Sequence, residues 1–240
     1  MWLNVFKAEF LKYRRTSALF LALGIPFAIN ALFLLVLFLK REKSVMTNTQ
    51  NWEFLLGNLY LTWTGIFLPV GLGILASLVL GLEHSDNQWK QQLILGATRV
   101  QIYVGKWLAV LGLVLIGSLM LAFGGFIVGG IFTGFQDIPF ERLLRDPMLA
   151  LLGSVGIISF QAWLALRFRA FGVGLGVALF GAITGGFAGE SAEYWYFVPW
   201  TFPYSMLVDS RLQTALLLSL GVGLVLFILG ALDLEKRDIL

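Results

Sequence analysis

Apolar residues run along this chain in six long stretches, roughly 17–39, 54–82, 100–133, 148–166, 171–188 and 214–232. A helix that crosses a bilayer needs about 20 predominantly apolar residues, so each stretch predicts a membrane-spanning α-helix. The fourth and fifth are divided only by Arg167-Phe168-Arg169. The third is the longest. At about 1.5 Å per residue it reaches about 50 Å, well beyond a hydrocarbon core of about 30 Å. Its first two turns, with Arg99 and Lys106, are therefore expected to project from the membrane as a stalk.

The polar segments between these stretches carry patterns of their own. Trp2, Phe6, Phe10 and Tyr13 follow helical spacing among Lys7, Lys12, Arg14 and Arg15. That spacing predicts an amphipathic helix lying in the membrane interface; the plainer reading is a basic tail that only sets topology. Between the second and third stretches lies Glu83-His84-Ser85-Asp86-Asn87-Gln88-Trp89-Lys90-Gln91-Gln92, followed by Leu93-Ile94-Leu95-Gly96-Ala97-Thr98. Ser85 and Gln88 have capping-box spacing, and Thr98 and Gln101 repeat it at the start of the next span. Gly96 sits where a helix end favours a left-handed residue. Trp89 and Leu93 share one face, with Asp86, Lys90 and Gln91 elsewhere. A short rigid helix at the membrane surface is expected, suited to docking a soluble partner. Between the fifth and sixth stretches the chain reads Tyr194-Trp195-Tyr196-Phe197-Val198-Pro199-Trp200-Thr201-Phe202-Pro203-Tyr204. It is too aromatic for a solvated loop and too broken by proline for a span. Short re-entrant helices with rings at headgroup level fit it best.

Composition agrees with the spans. Of 240 residues, 58% are hydrophobic and 13% charged, against about 25% charged in soluble domains. Basic residues decide orientation. With both termini inside, the inner segments hold eleven of the 17 lysines and arginines and the outer segments six. Lys40, Arg41 and Lys43 run against the trend. The first span is too long for a cleavable signal peptide and lacks a small-residue cleavage motif.

Candidate chemistry is sparse. Without cysteine there is neither thiolate chemistry nor a disulfide, and the single histidine, His84, excludes a multi-histidine metal site. Glu83 reads either as a boundary carboxylate or as a partner-facing or ion-paired group. Trp89 reads either as an interface anchor or as a docking knob. Asn30, Asn58, Thr62, Thr64, Ser118, Ser159 and Gln161 are the main polar groups at depth. Proton- and ion-coupled transporters place charge there, so the interior suits an amphipathic or lipid-like cargo better than an ion. Gly181-x-x-x-Gly185-x-x-x-Gly189 predicts close packing of small residues, within one chain or across a dimer. Gly125-x-x-x-Gly129 and Gly130-x-x-x-Gly134 read the same way. Pro26 and Pro69 predict kinks that membrane helices tolerate.

The stretch from Glu83 to Lys90, with Leu95-Gly96-Ala97-Thr98-Arg99 and Tyr103-Val104-Gly105-Lys106, resembles the motifs of ABC-2 type permeases, the membrane subunits of ABC exporters. There, a glutamate ends span two, an Asn-x-Trp-Lys-like turn and a Leu-Pro-x-Ser-Arg-like turn follow, and Gly-Lys lies at the base of span three. Gly96-Ala97 replaces the more usual Pro-x. Pro199-Trp200-Thr201-Phe202-Pro203 is similar to the bacitracin-resistance and lantibiotic-immunity branch.

The resemblance implies an all-α integral membrane protein of six transmembrane helices forming a single ABC-2 type domain over 1–240. Within it, 1–16 would be an interfacial helix, 83–99 a cytoplasmic coupling helix and 189–213 an external re-entrant hairpin. Glu83, Asp86, Gln88, Trp89, Lys90 and Leu93 would couple to a separate ABC ATPase, in two copies, with Glu83 anchored to Arg99 or Lys106. Trp195, Phe197 and Trp200 would form an outer gate. A second permease chain, identical or homologous, would complete the path in a bacterial cytoplasmic membrane. The chain has no phosphate-binding Gly-x-x-x-x-Gly-Lys-Ser/Thr loop. It would bind no cofactor itself, ATP and Mg entering through the partner. The expected function is export of an amphipathic compound such as a peptide antibiotic. The alternatives are an intramembrane enzyme, whose Glu-Glu-x-x-x-Arg or His-Glu-x-x-His motif is absent, and a non-transporting scaffold or sensor.

Overall fold

A computed structural model describes residues 17–40, 47–85, 98–168 and 170–236 of the chain, all of them helical or in short connections. The helices are α1 (Ser17–Lys40), α2 (Asn48–Thr62), α3 (Leu68–Ser85), α4 (Arg99–Thr133), α5 (Phe140–Gly153), α6 (Val155–Arg167), α7 (Phe171–Glu190), α8 (Phe202–Ser205) and α9 (Leu212–Lys236). Five helical segments are long and apolar enough to cross a membrane, and α5 with α6, bent by 44°, makes a sixth span if counted as one. The protein is an all-α membrane protein. We call the end carrying the α4–α5 and α7–α9 connections the head, and the end where α3, α6 and α9 finish the base.

The second span starts earlier than its apolar run. Thr47 and Gln50 make a reciprocal capping box that begins α2 at Asn48, six residues ahead of the expected start. Trp52 donates its indole N–H to the Gln136 carbonyl at 3.0 Å, tying this extra turn to the α4–α5 connection. A π turn, Trp63–Phe67, joins α2 to α3 just ahead of Pro69. Such a turn lets the ladder reset where proline supplies no N–H.

The fourth span differs most from expectation. Its helix begins at Phe140, eight residues before the expected 148, and breaks at Ser154. The break is held from outside. Ser219 of α9 shares its hydroxyl between the Leu152 and Gly153 carbonyls, both at 2.9 Å, and so satisfies acceptors a bend would orphan. Gly153 fits against α8, where a Cβ would lie 2.7 Å from the Pro203 Cα.

Glycines set how closely α4 approaches its neighbours. A Cβ at Gly117 would come within 3.0 Å of the Ala22 carbonyl in α1, the acceptor four residues before Pro26 that proline leaves without an intrahelical donor. Gly124 receives the Asn30 carboxamide, whose nitrogen donates to the Pro26 carbonyl at 2.9 Å and the Leu121 carbonyl at 3.3 Å. Gly125 faces Leu59 and Gly129 faces the Trp52 ring. The expected pairing of Gly130 with Gly134 needs correction. Gly134 is the left-handed C-cap of α4, with φ 63° and open space where a Cβ would stand, so it ends the helix rather than packing it.

Candidate functional site

At the base, the capping box expected at Thr98 and Gln101 is present. The Gln101 N–H donates to the Thr98 hydroxyl at 3.2 Å and the Thr98 N–H to the Gln101 side chain at 2.9 Å. The turns that follow, the expected stalk, are packed against α9. Ile102, Tyr103 and Lys106 are buried, and α9, which runs on to Lys236, packs on Tyr103. Arg99 donates to the Glu235 carbonyl at 3.0 Å and the Leu234 carbonyl at 3.4 Å. A guanidinium there complements the carbonyl-rich end of a helix.

The base also assembles contacts that the sequence did not single out, with Asp233, Trp163, Phe227 and Gly230 as new members. Asp233 accepts from the Trp163 indole at 3.2 Å and pairs with Arg167 at 3.1 Å. Tyr103 packs on Phe227 with ring centroids 5.2 Å apart, and Gly230 leaves the space its hydroxyl occupies. These contacts lock α4, α6 and α9 together. The only signal in the sequence was an acid, Asp233, just past an apolar run. Glu83 lies in the last turn of α3, and its side chain lies outside what is described. The remaining coupling candidates, Asp86, Gln88, Trp89, Lys90 and Leu93, lie outside the described residues, as does the 1–16 segment.

At the head, the aromatic segment folds as two 3₁₀ turns, Trp195–Phe197 and Pro199–Thr201, and the single turn α8. It tucks back among α5, α7 and α9. Phe202 and Met206 are buried with Trp195 in a small core of their own. The glycine ladder of α7 receives this segment rather than another helix. Gly181 lies against the Trp200 indole, and a Cβ at Gly185 would sit 3.0 Å from the Trp200 Cβ. Gly189 has ordinary clearance to Tyr204 and Thr201. Arg211 closes the segment: it donates to the Gly189 carbonyl at 2.7 Å and the Ser191 carbonyl at 3.3 Å, and its guanidinium lies 5.2 Å from the Trp195 ring centroid.

The three aromatic gate candidates therefore occupy different environments. Trp195 is 7% exposed and Trp200 is packed edge-on to Phe160 at 5.6 Å, while Phe197 is 69% exposed. Beside this segment a cavity of about 710 Å³ opens between α2, α5 and the stretch around α8. Arg142 pairs with Asp146 and Arg145 with Asp209 in its lining, each at 3.1 Å. Tyr60 donates to the Leu143 carbonyl at 3.2 Å beneath it.

A bundle of long apolar helices with a polar base, a folded-back aromatic head and uncharged polar groups between them defines a multi-pass membrane protein. Its particular kind follows from comparison. The family model for ABC-2 family transporter proteins matches residues 5–185, and the chain belongs to that family. It is the membrane component of an ABC transporter, a permease subunit of a family that works with an ABC ATPase. The matched stretch includes the segment between α3 and α4 and ends before the aromatic head and α9. No curated protein matches the chain significantly.

Proposed function

We propose that this permease is an exporter that clears an amphipathic or lipid-like compound, such as a peptide antibiotic, from a bacterial cytoplasmic membrane. It belongs on this reading with the bacitracin-resistance and lantibiotic-immunity branch, with both termini in the cytoplasm. A separate ATPase, in two copies, binds ATP and Mg and docks on Glu83, Asp86, Gln88, Trp89, Lys90 and Leu93. A second permease chain, identical or homologous, completes the path.

The observation that carries this reading is the character of the buried polar groups. Among the described residues the buried charged side chains are Lys106, in the early turns of α4, and Asp146, midway along α5. Between those levels the buried polar groups, Asn30, Ser118, Ser159 and Gln161 among them, are uncharged. An interior of that kind offers an ion no counter-charge, whereas apolar and amphipathic matter crosses it without desolvating a fixed charge. Trp195, Phe197 and Trp200 form the outer gate on this reading, and Phe197, being exposed, is the residue an arriving amphiphile meets.

The test is the inhibitory concentration of a panel of membrane-active peptide antibiotics. Cells carrying the permease and its ATPase should tolerate at least one compound at higher concentration than cells lacking them. Phe197→Ala should reduce that protection while leaving the amount of assembled complex unchanged. Equal sensitivity to every compound would remove the immunity reading.

A further inference from the structure

We propose that the head cavity is a binding site for a zwitterionic amphiphile, a molecule with an ammonium group, a phosphate or carboxylate, and an apolar tail. Its volume of about 710 Å³ falls within the range of small-molecule sites, roughly 300–1,000 Å³. The lining groups determine the chemistry. Two guanidiniums, Arg142 and Arg145, stand one helical turn apart on α5, facing the same space as three carboxylates, Glu141, Asp146 and Asp209.

The pairing among these groups leaves both signs on offer. Arg142 uses its Nε on Asp146. Among the described residues its two terminal nitrogens make no hydrogen bond, and the side chain is 40% exposed. Gly57 lies beside them, and a Cβ there would make only ordinary contact with one of those nitrogens, at 3.9 Å. Arg145 uses one terminal nitrogen on Asp209, and among the described residues its other donors make no hydrogen bond, at 44% exposure. The unused edges of two adjacent guanidiniums are suited to a phosphate or carboxylate, which guanidinium forks bind in bidentate fashion. Glu141 adjoins Arg142 in sequence, lines the same cavity and has no ion-pair partner among the described residues. It is therefore the acceptor for an ammonium group.

A ligand of one sign fits less well. A lone anion on the arginines would face Glu141 without a cation between them, and a lone cation at Glu141 would adjoin Arg142. A zwitterion satisfies both and displaces little of the existing pairing. The apolar part of the ligand is provided for as well. Phe140 and Leu61, on the cavity wall, are 61% and 50% exposed, so a tail leaving the cavity runs along apolar surface toward the spans. The site goes beyond the export reading, since it needs no ATPase and holds whether the exported compound is a peptide or not.

The experiment uses the purified full-length chain in an uncharged maltoside detergent. Four probes are titrated: short-chain phosphatidylethanolamine, Nε-octanoyl-lysine, short-chain phosphatidic acid and octylamine. The first two are zwitterions with a phosphate and a carboxylate respectively, and comparing them separates a lipid headgroup from an amino-acid-like ligand. At least one should bind tenfold or more tightly than both single-charge probes. Glu141→Gln and Arg145→Gln change exposed side chains, so the fold should persist, as an unchanged melting temperature would show. Arg145→Gln should weaken the zwitterion about tenfold, and Glu141→Gln should erase its advantage over phosphatidic acid. Binding of phosphatidic acid or octylamine as tight as that of the zwitterions would overturn the proposal. So would failure of both zwitterions to bind, or unchanged affinity in both variants.

Discussion

Arg211 shows how one side chain can hold a broken segment in place. Its guanidinium caps the end of α7 through the Gly189 and Ser191 carbonyls and covers the Trp195 ring. Hydrogen bonds from a charged donor are worth about 1.5–3 kcal/mol, so Arg211→Ala should lower stability by about 2 kcal/mol, read as a drop in the melting temperature of the detergent-solubilised protein. Arg211→Lys should recover only part of it, since an ammonium cannot span both carbonyls and the ring. Full stability in the alanine variant would show that the head is held by its core alone. Gly181 makes the complementary point. With the Trp200 indole filling the space a side chain would need, Gly181→Leu should expel the ring and destabilise the head. Phe180→Leu, at a position 69% exposed, should be nearly silent. Thermal melts of the two variants side by side check this, and equal melting temperatures would remove the packing argument.

Among the elements, the 35-residue α4 does the most to organise the base. It receives α1 on one side through Gly117 and Gly124, and at its start it is locked to α9 through Arg99. The segment between α3 and α4 is thus framed by an α4 that is fixed to α6 and α9. On the proposed docking role, a movement of that segment would bear on helices already packed against one another. On that role, Trp89→Ala or Glu83→Ala should leave the permease folded in the membrane but lower retention of the ATPase. Truncating an interface anchor commonly costs 2 kcal/mol or more, roughly thirtyfold in binding. Copurification from mild detergent, with permease yield as the control, gives the measurement. Wild-type recovery of the ATPase with both variants would place the docking surface elsewhere.

Taken as a molecule, the protein divides its polar chemistry between its two ends. The base carries Arg99, Arg167 and Asp233 in contacts that fasten helices, and the head carries a cavity with charges of both signs. On the proposed orientation the base faces the cytoplasm, the side that the excess of basic residues there favours. Reporter fusions after Leu240 and within residues 45–51 should therefore report opposite sides, cytoplasmic and external. Signals from the same side would break the six-span arrangement.

The helices are legible in the sequence because a bilayer span needs length and apolarity, and both are local properties of the chain. The Thr98–Gln101 cap is legible for the same reason, since its donors and acceptors lie three residues apart. The Thr47–Gln50 cap has the same spacing but lies outside the apolar run it begins, so hydropathy alone places the helix start too late. The break at Ser154 has only the weak local sign of a Gly153-Ser154 pair, and its carbonyls are satisfied by Ser219, a residue that folding brings beside it. Gly134 and Gly181 share a small-residue spacing in the chain, yet one caps a helix and the other receives an indole. The head cavity is hidden for the same reason. Arg142, Arg145 and Asp209 count toward outer-loop charge along the chain, and they line one space only when the turns around α8 fold back onto α5. Spans and caps follow from neighbours in sequence, whereas the joints, the ladder's true partner and the cavity arise from contacts between residues far apart in the chain.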